Sequence, residues 1–226
     1  MNHPLTAFRE PMARSTSDLV YNTIRQAIVT GELPAGSRLV EAKVSKELNV
    51  SITPVREAFA RLANQGLLTV FPYKGTYVTI MSWTMVRDVN DLRIRLEEMA
   101  AERGFDRLTE DDVKQIRALC SRSDEAYSQG DLEGAIHYDV LFHEQMFVAT
   151  GSKLLLEVWN SIKYRIEYIQ YYTKTSMRPK MTLRHQPMLE ALERRDQTAY
   201  IAALREHLTS NLSRSMFPDE EEIRYE

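Results

Sequence analysis

The first third of the chain contains two helical patterns separated by a turn. From Asp18 onward, apolar side chains recur every three or four positions until Gly31, a residue that commonly ends helices. After a turn rich in glycine and proline, a shorter pattern over residues 41–48 predicts a second helix. Residues 1–17 show no such period, and we expect them to form a flexible arm.

A third helix is predicted over residues 54–65, and a β-hairpin follows it. Thr53 would be the N-cap, Pro54 the first helical residue, and Gly66 lies just beyond the end. The period then becomes strand-like, through LLTVF, the turn PYKG and TYVTI. Three helices followed by a hairpin over residues 18–80 predict a winged helix-turn-helix, an arrangement that binds DNA.

The rest of the chain is helical, with no strand-like alternation. Six helices are predicted, separated by turn segments: 84–103, 110–128, 132–149, 153–176, 180–194 and 197–215. Short turns make consecutive helices antiparallel neighbours, so the fold class is mainly α, with an all-α bundle over 87–215. Residues 81–86 would link the two domains, and the acidic tail 216–226 is expected to be solvated.

The charge is distributed unevenly between these two parts. Residues 1–80 hold nine Lys and Arg against six Asp and Glu, a net charge of +3. Because the whole chain has a net charge of −3, the other 146 residues have a net charge of −6. A basic first third places any nucleic-acid contact near the N-terminus. The single cysteine, Cys120, cannot form an internal disulfide, and no apolar run is long enough to span a membrane, so a cytoplasmic protein is expected.

Two histidines lie symmetrically about the last predicted turn. His185 and His207 are each eleven positions from Asp196, which follows ERR in that turn. An antiparallel helical hairpin brings equidistant positions to the same level, so the two imidazoles would face each other. On an earlier helix, Asp139 and His143 are four residues apart and therefore share one face.

One carboxylate and three imidazoles suit zinc, nickel, manganese or iron better than calcium. A single helical histidine is more often a surface residue or a polar group in the core. The joint arrangement of three histidines and one i,i+4 carboxylate nevertheless favours a divalent metal site. The remaining two histidines, His3 and His137, are expected to be ordinary surface residues.

Several stretches match the motifs of one protein family. In the first third they are IVTGELPAGSRL, VSITPVREAFARLANQGLL and KGTYV. In the second half they are DLRIRLEE, DVLFH, His185 before MLEALERRD, and His207 in REHL. On these motifs, which cover residues 18–215, the chain resembles the GntR family of bacterial transcription regulators, in the FadR subgroup with a C-terminal FCD domain. The resemblance implies a ligand-responsive regulator, usually a repressor, and no enzymatic activity.

The resemblance also implies a metal centre and an effector. In metal-containing FCD domains, a D-x3-H pair and two later histidines bind a divalent metal, which here implies Asp139, His143, His185 and His207. Zinc is the first expectation. A small organic acid could occupy the remaining coordination positions, with Arg93, or second Arg165, binding its carboxylate. Tyr164 or Tyr168 could form pocket walls, although such an aromatic stripe is also typical of a core.

DNA contacts are predicted at the recognition helix, the helix before it and the wing. The eight predicted residues are Arg38, Lys43, Ser51, Thr53, Arg56, Lys74, Gly75 and Thr76. For Arg56, the alternative is an ion pair with Glu57 or Glu41. Because one small domain makes few contacts, a homodimer that binds a palindromic operator is expected.

The chain departs from its relatives at two positions that commonly contact DNA. Many relatives read S-R-T-P at the start of the recognition helix, where this chain has Ile52 in place of the arginine, and many carry an arginine where Ala42 stands. The operator sequence therefore cannot be transferred from relatives.

Two other functions are compatible with the same residues. In the first, the metal itself is the signal and no organic effector is needed. In the second, the protein is a metal-dependent hydrolase with a DNA-binding appendage, since a metal with open positions can activate water. A hydrolase would need a general base, and Glu144, next to His143, lies off the face that the metal ligands share.

Overall fold

The first helix begins earlier than its apolar pattern predicts. The computed structural model describes residues 15–176, 185–209 and 214–225. Helix α1 (Thr16–Val29) starts with a capping box, in which the Ser15 hydroxyl accepts from the backbone N–H of Asp18 and the Asp18 carboxylate accepts from that of Ser15. Residues 15–17 therefore belong to the helix and its cap, and the rest of the predicted arm lies outside the described residues.

The N-terminal half is the predicted winged helix. Helices α2 (Glu41–Glu47) and α3 (Ile52–Asn64) are followed by strands β2 (Leu68–Phe71) and β3 (Gly75–Val78). A short strand, β1 (Arg38–Leu39), pairs with β3, so that the antiparallel sheet has the order β1-β3-β2. The sequence did not predict β1, because two residues are too few to show an alternating pattern.

The predicted start of α3 is wrong by two residues. Ser51 is the N-cap and Ile52 the first helical residue, which puts Pro54 at the third position. Proline is tolerated there because the N–H groups of a first turn have no partner within the helix. Ile52 and Thr53 consequently lie in the exposed first turn of the helix.

The C-terminal half contains all six predicted helices. They are α4 (Trp83–Gly104), α5 (Glu110–Ser128), α6 (Leu132–Ala149), α7 (Lys153–Ser176), α8 (Gln186–Glu193) and α9 (Gln197–Thr209). Of the predicted helix over 180–194, residues 180–184 lie outside the described residues. The predicted extension of the last helix to residue 215 is wrong, because 214–216 form a separate 3-10 turn and 210–213 are not described.

Helix α6 lies at the centre of this bundle. It packs against α4, α5 and α7. Phe147 at its C-terminal end is completely buried and stacks on the equally buried Trp159 of α7, with ring centroids 4.6 Å apart. Because α6 has neighbours on most sides, Asp139 and His143 near its middle are 2% and 0% exposed.

The two halves meet along α7. The Tyr168 hydroxyl donates to the Thr79 carbonyl at 3.0 Å, and Glu167 accepts from Arg25 of α1 at 2.9 Å. Helix α4 already begins within the predicted linker 81–86, where Met81 and Val86 are buried with the core of the winged helix. Among the described residues, no helix is both long and apolar enough to cross a membrane.

The acidic tail is solvated only in part. The side chains of residues 220–222 are exposed, as expected. Phe217, in contrast, is 6% exposed and packs near Trp83, while the Tyr225 ring contacts Phe71 and Tyr77 of the sheet. The apolar residues of the tail therefore overturn the expectation of a fully solvated segment.

Candidate metal centre and DNA-binding surface

Three helical segments bring the candidate ligands together. Asp139 and His143 are one turn apart on α6, His185 directly precedes α8, and His207 lies in the last turn of α9. Helices α8 and α9 form the predicted antiparallel hairpin, and the rings of His185 and His207 face each other with centroids 4.5 Å apart. The symmetric spacing about Asp196 therefore has the geometric meaning that the sequence suggested.

The four side chains have the geometry of a ligand set. One donor atom from each of Asp139, His143, His185 and His207 lies within 4.8 Å of all the others. His185 Nε2 is 3.1 Å from Asp139 Oδ1, but the atoms do not have hydrogen-bond geometry. Two neighbouring ligands on one ion, each about 2.1 Å from it and at right angles, would be about 3.0 Å apart.

His143 has one nitrogen that the protein does not use. Its Nδ1 is hydrogen-bonded to Glu97 Oε2 at 2.6 Å, whereas its completely buried Nε2 has no hydrogen-bond partner. Leaving such a group unsatisfied costs about 1–3 kcal/mol, so a ligand for this nitrogen is expected. The residues present therefore fit a divalent metal.

Glu97 and Arg93 form a second layer of interactions behind the ligands. Arg93 Nε donates to Glu97 Oε1 at 2.6 Å, and both side chains are buried. Burial alone would raise the pKa of the Glu97 carboxyl, but the adjacent His143 and Arg93 outweigh it and hold this pKa below its usual value. An ionised Glu97 orients the His143 ring and makes its other nitrogen a stronger ligand.

Two histidines of the cluster, His143 and His207, favour the neutral form that metal binding requires. Burial lowers the pKa of His143, and the Glu97 charge opposes this only in part. Burial also lowers the pKa of His207 well below its ordinary value, and the neighbouring His185 and His143 lower it further. Imidazoles that remain neutral at neutral pH keep a lone pair for an ion.

Sequence reasoning did not identify Glu97 or Gln170. Glu97 is four residues after Arg93 on α4, and this i,i+4 spacing was the available signal. Gln170 Nε2 donates to Asp139 Oδ2 at 2.7 Å, which fixes the carboxylate from α7. Nothing in the sequence pairs Gln170 with Asp139, because the contact depends on how α6 and α7 are packed.

The two predicted effector arginines lie in different places. Arg93 is 6% exposed, and its Nη2 is buried without a hydrogen-bond partner. It is connected to His143 through the Glu97 carboxylate, to which both side chains are hydrogen-bonded. Arg165 is not brought to the cluster, since its guanidinium fills the space beside Gly66 at the end of α3. The prediction that Arg165 lies at the effector pocket is therefore wrong, because this side of α7 faces the winged helix.

The two tyrosines suggested as pocket walls also face the winged helix. The Tyr164 ring contacts Tyr21 of α1 edge-on, with centroids 6.3 Å apart, and the Tyr168 hydroxyl donates a hydrogen bond to the Thr79 carbonyl. The aromatic stripe of α7 therefore forms the junction between the halves, which is the structural alternative that the sequence left open. His137 is exposed, as expected, although partial desolvation by the surrounding protein lowers its pKa.

The predicted DNA-contacting residues lie at exposed or half-buried positions of the winged helix: Arg38, Lys43, Ser51, Thr53, Arg56, Lys74, Gly75 and Thr76. Arg56 Nε is 2.7 Å from Glu41 Oε2, so the ion pair considered as its alternative is present, although both side chains are accessible to solvent. The Arg38 guanidinium lies beside Gly75, whose φ of 132° suits glycine. Sequence reasoning missed Tyr73, which is fully exposed at the wing tip.

Comparisons with known proteins agree with both halves of this structure. The model of the GntR family of bacterial regulatory proteins matches residues 16–78, and the FCD domain model matches residues 88–210. The chain belongs to the GntR family. It is a DNA-binding transcription regulator with an FCD domain, and not an enzyme, as its relatives are transcription regulators too.

Two relatives of this GntR regulator come from Escherichia coli. The HTH-type transcriptional repressor RspR of strain K12 is 30% identical over 191 residues, which cover 84% of each chain. The solved structure of McbR/YncC superposes with a TM-score of 0.74 at 26% identity, over 88% of this chain and 96% of that one. A regulator from Rhodococcus sp. RHA1 shares the fold, with a TM-score of 0.73 at 23% identity, over 85% and 93% of the two chains.

Proposed function

We propose that this GntR regulator is a repressor whose operator affinity is controlled by a small organic acid bound at a metal centre in the FCD domain. The observation that carries the proposal is the convergence of four donors, from Asp139, His143, His185 and His207, within 4.8 Å of one another. Zinc is the first candidate, because imidazole and carboxylate donors suit it, and nickel, manganese and iron accept the same ligands.

The metal would supply positive charge and open coordination positions to an acid. Four protein donors leave two positions on an ion that takes six ligands. Arg93 supports this role, because its buried Nη2 lacks a hydrogen-bond partner and could bind a carboxylate oxygen that the ion does not hold. One oxygen of the Glu97 carboxylate is hydrogen-bonded to Arg93 and the other to His143, which keeps both side chains in place.

DNA would bind to the exposed face of the winged helix. Ser51, Thr53 and Arg56 lie at the N-terminal end of α3, where free N–H groups and the helix dipole favour phosphate. Lys74, Gly75 and Thr76 would bring the wing to the duplex, and Arg38 and Lys43 would add phosphate contacts. A homodimer would place two such faces on a palindromic operator.

The metal content of the purified protein tests the centre. We expect about one divalent ion per chain by inductively coupled plasma mass spectrometry, and its loss in His185→Ala. His137→Ala is the matched control, because His137 lies outside the ligand set. If the wild type takes up no ion after incubation with zinc, nickel and manganese, the proposed centre is disproved.

The acid-binding step needs its own experiment. We expect calorimetric titration of the zinc-loaded protein with a panel of small mono-, di- and tricarboxylic acids and sugar acids to identify binders. Arg93→Ala should then abolish their binding while metal content is retained. Arg95→Ala is the matched control, because Arg95 is on the same helix with its side chain 79% exposed. Equal acid affinity in both variants would remove Arg93 from the site.

A further inference from the structure

The C-terminal strap, residues 214–225, returns from the FCD domain to the winged helix. It follows α9 and begins with the 3-10 turn Arg214–Met216. Its apolar residues are attached at two places, first to the junction between the domains and then to the outer face of the sheet. The acidic side chains of residues 220–222 point to solvent between these two attachments.

The first attachment is at the start of α4. The Phe217 ring is stacked on Tyr172 of α7, with centroids 5.3 Å apart, and lies 6.4 Å from the Trp83 ring. The backbone N–H of Trp83 donates to the Pro218 carbonyl at 2.9 Å. Because Trp83 is the first residue of α4, its N–H has no acceptor within the helix, and the strap supplies one. The strap thereby joins α7 to the junction.

The second attachment is on the wing hairpin. The Tyr225 ring packs edge-on against Phe71 of β2, with centroids 4.9 Å apart, and against Tyr77 of β3, at 5.4 Å. Its hydroxyl accepts from the backbone N–H of Ile80 at 3.2 Å. One aromatic side chain therefore contacts both strands of the hairpin and the residue where the hairpin rejoins the domain.

Tyr225 covers the face of the sheet that is turned away from the core. Leu68 and Val78 are paired across the two strands and are buried in the core of the winged helix. Side chains alternate along a strand, so Phe71 on β2 and Tyr77 on β3 lie on the opposite face. Neither belongs to the core cluster of the winged helix, although Tyr77 is only 7% exposed.

Along the chain, the wing tip lies between Phe71 and Tyr77. Lys74 and Gly75 follow Phe71 by three and four positions and precede Tyr77. The third strand, β1, pairs with β3 over two residues only, and a ribbon of two strands is only marginally stable by itself. Tyr225 holds both strands within a few residues of the tip, so it restricts where the tip can point.

We propose that the strap is a positioning element for operator binding, in which Tyr225 fixes the direction of the wing and Phe217 fixes the strap to the domain junction. The wing then meets the phosphate backbone without first being ordered, so less conformational entropy is lost on binding. The proposal concerns the DNA-binding activity of the family and is independent of the metal centre.

The affinity of strap variants for DNA tests this proposal. Operator duplexes would be selected from a random library with the wild-type protein, and dissociation constants measured by fluorescence anisotropy. We expect Tyr225→Ala to bind about tenfold more weakly, the order of loss expected when contacts that position a protein on the duplex are weakened. Tyr225→Phe, which keeps the ring, should recover most of the affinity. Tyr127→Ala on α5 is the matched control and should bind like the wild type.

A double-mutant cycle separates positioning of the wing from a general loss of stability. If Tyr225 acts through the wing, Lys74→Ala combined with Tyr225→Ala should bind about as weakly as the weaker single variant. Losses that multiply in the double variant would overturn the proposal, as would wild-type affinity in Tyr225→Ala. Hydrogen exchange gives a second measurement: peptides over residues 68–78 should exchange faster in Tyr225→Ala, and peptides over α6 should not. Unchanged exchange in the wing would also contradict the proposal.

Discussion

At the residue scale, the chemistry of the candidate metal centre would depend on which nitrogen of His143 is available. Glu97 accepts from Nδ1 and leaves the buried Nε2 for an ion, and Arg93 keeps Glu97 in place. Asp139 is oriented in the same way by Gln170. The candidate ligands are therefore held by a second layer of side chains, two of which the sequence did not identify.

Glu97→Gln should weaken metal binding without removing a ligand. The amide keeps the size of the side chain but loses the charge that orients and polarises His143, and changes of this kind typically cost about 10–100-fold in metal affinity. Competition with a chromophoric chelator measures the affinity for zinc. Glu102→Gln, an exposed position on the same helix, is the control. Equal affinities in the two variants would contradict the role of Glu97.

Arg56 should contact the operator despite its ion pair with Glu41. The pair is exposed, so it contributes little stability and can be exchanged for a base or a phosphate. We expect Arg56→Ala to lose about 1–3 kcal/mol of discrimination between operator and random DNA, with unchanged thermal unfolding. Glu41→Gln frees the arginine and should bind the operator at least as tightly as the wild type. If Arg56→Ala retains full affinity in a gel-shift titration, Arg56 has no role in DNA binding.

At the element scale, the spacing of apolar residues predicted which segments are helices, whereas capping and turn residues did not always predict where the helices begin and end. The apolar stripes of the six FCD helices are long, so their existence and approximate limits could be predicted from the sequence. Ends were harder: α3 starts at Ile52 instead of Pro54, and residues 214 and 215, predicted as part of the last helix, lie in a 3-10 turn. Helix ends depend on caps and on tertiary contacts, and two residues of β1 carry no periodic signal.

The capping box of α5 should contribute measurably to stability. Thr109 accepts from the backbone N–H of Asp112, and the Asp112 carboxylate accepts from that of Thr109. These hydrogen bonds lower the pKa of Asp112. We expect Thr109→Ala to lower the free energy of unfolding by about 0.5–2 kcal/mol in urea denaturation. Thr198→Ala, at an exposed position within α9, should not lower it. If Thr109→Ala and Thr198→Ala change the free energy of unfolding by the same amount, the Thr109 cap does not contribute to stability.

At the scale of the whole molecule, α7 connects the candidate centre to the winged helix. Gln170 donates a hydrogen bond to Asp139, while Glu167 and Tyr168, three and two residues earlier, contact Arg25 and Thr79. The sequence showed the aromatic stripe of α7 but not its partner, because a stripe has the same pattern whether it faces a pocket, a core or another domain. The packing of α7 decides between these possibilities.

A ligand that prefers one placement of α7 must change operator affinity, and the operator must change the affinity for that ligand by the same factor. Arg25→Ala, which removes the partner of Glu167 without touching the centre, should reduce this coupling. Titrating the acid in the presence and absence of operator measures it. Coupling equal to that of the wild type would show that the Arg25 contact does not transmit the signal.

The operator dissociation constant of one preparation in three states tests the account most directly: metal-free, zinc-loaded, and zinc-loaded with an acid identified by calorimetry. We predict that the acid changes the constant by about fivefold or more in the zinc-loaded protein, as is typical of allosteric coupling. It should have no effect on the metal-free protein or on zinc-loaded Arg93→Ala. One constant common to all three states of the wild type would contradict the claim that the buried centre controls DNA binding.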